Sequence, residues 1–176
     1  MKRRTLAAAT AALLMTSALG MSACSSELVA QSGSSSAQSA ANLDHERISS
    51  VLETVGGVMA TADALLNAAD LGDQVTKGAL EMRTAQYALA NANGQALPPL
   101  DFEPTSLAIT NSDSWPRAIF NISDTSSTAL PVLEVYVQDS ARSDYKLTNY
   151  ARLLGGTHLT LPSVGTGSAY VTGDSQ

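Results

Sequence analysis

Cysteine occurs once in 176 residues, tryptophan once and histidine twice. A single cysteine cannot close an internal disulfide, so no disulfide framework is expected. The histidines, His45 and His158, stand far apart with no second cysteine beside them, and this excludes the clustered spacing of a metal site. No Gly-x-Ser-x-Gly elbow is present for a nucleophilic serine, and Gly165-Thr166-Gly167 has no helix behind it to cradle a phosphate. The acidic residues are scattered, so no acid and base pair is placed by spacing. The chain also lacks any apolar run of roughly 20 residues, the length that crosses a bilayer as a helix. These absences leave no catalytic residue, no metal ligand and no cofactor to assign.

What is present begins at the N-terminus. Lys2, Arg3 and Arg4 precede a weakly apolar run from Leu6 to Leu19, which leads into Gly20-Met21-Ser22-Ala23-Cys24. A basic start, a short apolar middle and small residues before a cleavage point form the layout of a secretory signal. The one cysteine follows that point. Met21-Ser22-Ala23-Cys24 resembles the lipobox of bacterial lipoproteins, with Met21 where leucine is usual. The resemblance implies cleavage after residue 23 and lipidation of Cys24. One acyl chain holds a protein only reversibly, at about 0.8 kcal/mol per buried methylene, so two or three chains are needed for a stable anchor. Arg3-Arg4-Thr5-Leu6 also resembles the start of a twin-arginine export signal, and the same residues suit an ordinary basic start.

Loss of residues 1–23 would remove three of the ten basic residues and none of the sixteen acidic ones, leaving a net charge of −9. A negative body excludes nucleic acid as a partner and excludes electrostatic adhesion to anionic lipid. Residues 24–41 then form a tether. Seven serines fall between Ser25 and Ala41, with no aromatic residue and one charge, Glu27. Such a stretch cannot bury enough apolar surface to offset its ordering entropy, and a flexible chain of this length spans roughly 20–25 Å.

Residues 42–176 suit one domain, with a helical half to about residue 93 and a strand-forming half over about 106–161. Asp44 can cap a first helix whose stripe is Ile48, Val51, Leu52, Val55, Val58, Met59, Ala62, Leu65, Leu66 and Ala69. Gly56 and Gly57 inside it imply close approach of another backbone, or a kink. Leu71-Gly72-Asp73 predicts a break, and Asp73 a cap for a second helix with Val75, Ala79, Met82 and Leu89 inward and Tyr87 at an edge. Pro98-Pro99 forbids helix thereafter. Strands are predicted over 106–110, 115–122, 131–138 and 145–154, with a weaker one over 158–161 and a flexible tail over about 162–176. Ala118, Phe120 and Ile122 alternate with Arg117, Ile119 and Asn121, and Leu133, Val135 and Val137 with Glu134, Tyr136 and Gln138. Period two means a sheet with one greasy and one mixed face, and the short polar segment 139–144 makes the third and fourth strands a hairpin.

Two helices followed by an antiparallel sheet of four to five strands is α+β by the layer rules. The break Ala68-Ala69-Asp70-Leu71-Gly72-Asp73 and the hairpin carrying Tyr145-Lys146-Leu147 resemble features of the nuclear-transport-factor-2-like superfamily. That resemblance covers about residues 44–161 and implies a curved, cone-shaped sheet with a ligand site at its mouth. Ser114-Trp115-Pro116-Arg117, with Tyr145-Lys146-Leu147 and Ala151-Arg152-Leu153-Leu154, is also similar to a group of actinobacterial secreted proteins. This second resemblance supplies no activity. It implies a further C-terminal region, so a chain ending at Gln176 would be a shortened member.

One basic and aromatic constellation stands out: Arg83, Trp115, Arg117, Tyr145, Tyr150 and Arg152. As a binding patch it would hold a small anionic or carbohydrate ligand through arginine forks and ring faces. As packing it would stack an arginine on Trp115 and pair Arg83 with a carboxylate. The expectation is a lipid-anchored binding or assembly module on the extracytoplasmic face of the cell membrane, with an envelope protein or such a ligand as partner. A small-molecule enzyme or ligand carrier is the alternative.

Overall fold

The computed structural model describes residues 42–123, 130–157 and 159–169. Cys24, the signal, the tether and His158 lie outside the described residues. The backbone builds α1 (His45–Leu65), a 3-10 turn (Ala68–Leu71), α2 (Lys77–Asn93), and then β1 (Ser106–Ile109), β2 (Arg117–Ser123), β3 (Val132–Gln138) and β4 (Lys146–Arg152). The strands form an antiparallel sheet in the order β1-β2-β3-β4, so the α+β expectation holds with four strands. Residues 159–161 form no strand.

Asp44 caps α1 as its sequence position predicts: its carboxylate accepts from the Arg47 backbone N–H at 2.8 Å. Ile48, Leu52, Val55, Met59 and Ala62 are buried along one stripe. The helix stops earlier than the stripe predicts. Leu66 turns left-handed at φ 50°, and the Asn67 side chain caps the 3-10 turn by accepting from the Ala69 N–H. Leu65 is left 64 % exposed.

Two features of α2 differ from expectation. Asp73 does not cap it, because Gln74 to Thr76 pair as extended backbone with β4: Thr76 N–H donates to Leu147 O and Leu147 N–H to Gln74 O, both at 2.9 Å. The helix therefore begins only at Lys77. Its buried face is also rotated. Ala79, Arg83, Tyr87 and Ala90 point inward, while Met82 is 42 % and Leu89 49 % exposed. The rotation brings Arg83 and Tyr87 onto Asp63 of α1, and that contact outweighs the burial of two apolar side chains.

The helices lie on the mixed face of the sheet. Ile48, Leu52 and Met59 share one core cluster with Ile109, Ile119, Val132, Tyr136 and Leu147. Phe120, Ile122, Leu133, Val135 and Val137 point to the other side and are half-buried. Near Gly56 a Cβ would come within 3.1 Å of the Phe102 side chain, so the close approach is by a ring of the connector rather than by backbone, while Gly57 faces open space. The chain from residue 159 to 169 returns to β1, where Ser168 N–H donates to Ile109 O at 2.7 Å and Asn111 N–H donates to Ser168 O at 3.0 Å. The segment expected to be a flexible tail is thus tied to the β1 edge as far as it is described.

Candidate functional site

The buried ionisable groups form two clusters. In the first, the bend between α1 and α2 sets Arg83 beneath Asp63. Arg83 is 1 % exposed, and its Nε donates to Asp63 Oδ1 at 2.8 Å while Nη2 donates to Asp63 Oδ2. Its Nη1 donates to Gln86 Oε1 at 2.8 Å and to Pro98 O at 3.0 Å. Tyr87 donates to Asp63 Oδ1 at 2.6 Å, and Tyr150 of β4 to Gln86 Oε1 at 3.1 Å. Burial would lower the Arg83 pKa, but the hydrogen bond and charge of Asp63 outweigh it and raise the pKa. Burial and the bond to Asp63 raise that of Tyr87. The cluster ties both helices, the connector and β4 together, and every side chain in it has a partner.

The second cluster lies on the helix-facing side of the sheet. Register places Asn121 opposite Glu134, and Tyr136 follows Glu134 on the same face. Glu134 is 0 % exposed. Its Oε2 accepts from Tyr136 at 2.8 Å and from Asn121 Nδ2 at 3.1 Å, whereas its Oε1 and the Ser123 hydroxyl are buried with no partner. Burial pushes the Glu134 pKa up to about 7, against the two hydrogen bonds that lower it and aided by the negative charge of Asp101. Sequence reasoning did not single out this carboxyl. The available signal was parity, since Asn121, Ser123 and Glu134 alternate in phase with Ile119, Val132 and Tyr136.

The six patch residues do not converge on one point. Arg83 and Tyr150 belong to the first cluster, joined through Gln86. Arg152 is tied to backbone, donating to Pro99 O at 2.6 Å and to Leu130 O at 3.2 Å. Arg117 lies over the Trp115 ring, 4.3 Å from its centroid, and its charge opposes the burial that raises the Tyr145 pKa. Trp115 Nε1 donates to Gln138 Oε1 at 3.3 Å.

Gln138 and Tyr145 lead from that aromatic corner into an open cleft of about 420 Å³ between α1 and the β3–β4 hairpin. Its helix side carries Arg47, Ser50, Val51 and Thr54, and its hairpin side carries Ser143 and Asp144. A second opening of about 470 Å³ lies where Leu159, Leu161 and Pro162 pass Ile122 and Leu153. Neither is lined by Glu134 or Arg83. Among the described residues, no group of three or more His, Cys, Asp or Glu is placed to hold a metal ion. The chain matches no family model, and no curated protein or solved structure matches it.

Proposed function

We propose that this chain is a bacterial lipoprotein, held by lipid on Cys24 at the extracytoplasmic face of the cell membrane, whose domain is a binding or assembly module of the envelope. One observation carries the reading: the sole cysteine stands directly after a basic start, a short apolar run and Met21-Ser22-Ala23. The domain supports a non-enzymatic role because its Arg83 cluster is closed on itself and its Glu134 cluster opens into neither cleft. Among the described residues no helix is long and apolar enough to cross a membrane. The test is fatty-acid labelling in cells. Wild type should take up label and mature to a shorter chain, and Cys24→Ala should do neither; equal labelling of the two would end the reading.

A second reading is favoured by Glu134: a small-molecule carrier or enzyme built on a nuclear-transport-factor-2-like cone. A buried carboxyl that stays partly protonated near neutral pH beside Tyr136 is the kind of group such a site uses. Native mass spectrometry of the full chain separates the readings. A retained small molecule that is lost in Glu134→Gln supports the carrier, and a mass accounted for by protein and lipid alone supports the binding module.

A further inference from the structure

The cleft between α1 and the β3–β4 hairpin has walls fixed by bonds that leave its inward groups unused. On the hairpin side, Gln138 Nε2 donates to Ser143 O at 2.8 Å, and the Ser140 N–H donates to the Ser143 hydroxyl at 2.8 Å. Gln74 is held by its backbone alone, through the pairing of Gln74 O with Leu147 N–H. On the helix side, Leu52 and Val55 anchor α1 in the core. Within this frame the side chains of Ser50, Gln74, Asp144 and Tyr145 make no hydrogen bond among the described residues. The Arg47 side chain has only a long contact to Asp44 among the described residues, at 3.8 Å. Leu43 and Val51 supply apolar surface between these polar groups.

A preformed cleft with an apolar floor and a few unpaired polar groups is the ordinary form of a small-ligand site, and 420 Å³ falls in the usual range of about 300–1,000 Å³. The chemistry narrows the ligand. The lining carries one cation, Arg47, and one anion, Asp144, so its own residues give the cleft no net charge that would select an ion of one sign. The remaining free groups are hydroxyls and an amide, which both donate and accept. Hydroxyl groups of a ligand do the same, and the C–H face of a sugar ring suits Leu43 and Val51, which are partly exposed in the cleft.

We propose that this cleft binds a short neutral saccharide, with Gln74, Asp144 and Tyr145 bonding its hydroxyls. The proposal deepens the binding-module reading and rests on it for its setting outside the membrane, while its test does not depend on the anchor. The single tryptophan serves as reporter, because Trp115 is bonded to the lining residue Gln138. The full chain, purified in a detergent without a sugar headgroup, is titrated with trehalose, maltose and chitobiose, by fluorescence and by calorimetry. At least one disaccharide should give a saturable signal. Gln74→Ala and Asp144→Asn, with circular dichroism unchanged, should each weaken it about tenfold, which corresponds to about 1.4 kcal/mol and to one hydrogen bond. Glu53→Ala, exposed on α1 outside the cleft, should leave it unchanged. No heat and no fluorescence change with any of the three sugars overturns the proposal. Equal binding by diglycine or inorganic phosphate, or binding indifferent to both variants, also overturns it. Failure of Cys24 labelling would remove the anchor and leave these outcomes as they stand.

Discussion

Arg83 and Glu134 are both withdrawn from water, and the fold treats them in opposite ways. Arg83 is buried as an ion: Asp63 faces it with both carboxylate oxygens, and Gln86 and Pro98 accept from Nη1. Among the described residues Glu134 has no cation bonded to it, only Tyr136 and Asn121 on one oxygen and nothing on the other. Removing a charge from water costs several kcal/mol, and a group without a compensating charge shifts its pKa instead. Hence Arg83 is held more firmly in its charged state while Glu134 is pushed up to about 7. A guanidinium cannot shed its proton at any ordinary pH and so requires a partner, whereas a carboxyl can become neutral and be tolerated among amides and hydroxyls.

The largest effect should come from breaking the paired case. Asp63→Ala leaves Arg83 charged and buried without its partner and strands the Tyr87 hydroxyl, so a loss of about 3–5 kcal/mol is expected in denaturant unfolding. A loss under about 1 kcal/mol would mean that the helices part easily and let water reach Arg83. Leu52→Ala gives an apolar standard on the same helix: it should cost about 2–5 kcal/mol, while exposed Glu53→Ala should stay within about 0.5 kcal/mol. Equal effects of the two substitutions would mean that α1 is not packed on the sheet.

The unpaired case is sharpened by pH. The folded pKa of Glu134, about 7, lies above its ordinary value of 4.5, so the native state holds this proton more tightly than the unfolded chain. Its stabilising contribution is complete below about pH 4.5, declines as pH rises and is lost above about 7. The span corresponds to about 3 kcal/mol, at about 1.4 kcal/mol per pH unit. Glu134→Gln cannot ionise. The stability of wild type minus that of Glu134→Gln should therefore fall by about that amount between pH 4.5 and 7 and stay flat beyond, with other carboxylates cancelling in the difference. A difference independent of pH would show that Glu134 is hydrated.

The comparison also shows what was legible in the chain. All four strands fall within two residues of their predicted limits, because turn signals and β-branched runs are local. The burial of α1 follows its stripe for the same reason. The inward face of α2 was not legible. Met82 and Leu89 outrank Arg83 by hydropathy, and only Asp63, 20 residues away, reverses the order. Nor could composition show that the helices would cover Asn121, Ser123 and Glu134 and leave Phe120 and Val135 half-buried. That choice depends on polar groups matching across β2 and β3, a property of register. Of the candidate patch, the Arg117–Trp115 stack was readable because the two residues stand only two apart in the chain, and the cleft, built from three distant segments, was not.

Arg117 stands between the two extremes and offers the smallest effect. It has neither a carboxylate partner, as Arg83 has, nor full burial, since it is half-buried over a Trp115 ring that is 38 % exposed. Its Nε is buried and unpartnered, so substitution removes an unfavourable group together with the ring contact. A cation over an indole at a partly exposed site contributes about 0.5–1 kcal/mol. In a double-mutant cycle of Arg117→Met with Trp115→Leu, the coupling should fall in that range, while Arg117→Met alone should change stability by less than about 1 kcal/mol. The charge should still register locally. Burial raises the Tyr145 pKa and Arg117 pulls it back, so Arg117→Met should move the Tyr145 phenol titration upward, read by ultraviolet absorbance against a Tyr145→Phe background. A coupling above about 3 kcal/mol would put Arg117 in the same class as Arg83, as an ion the fold cannot do without.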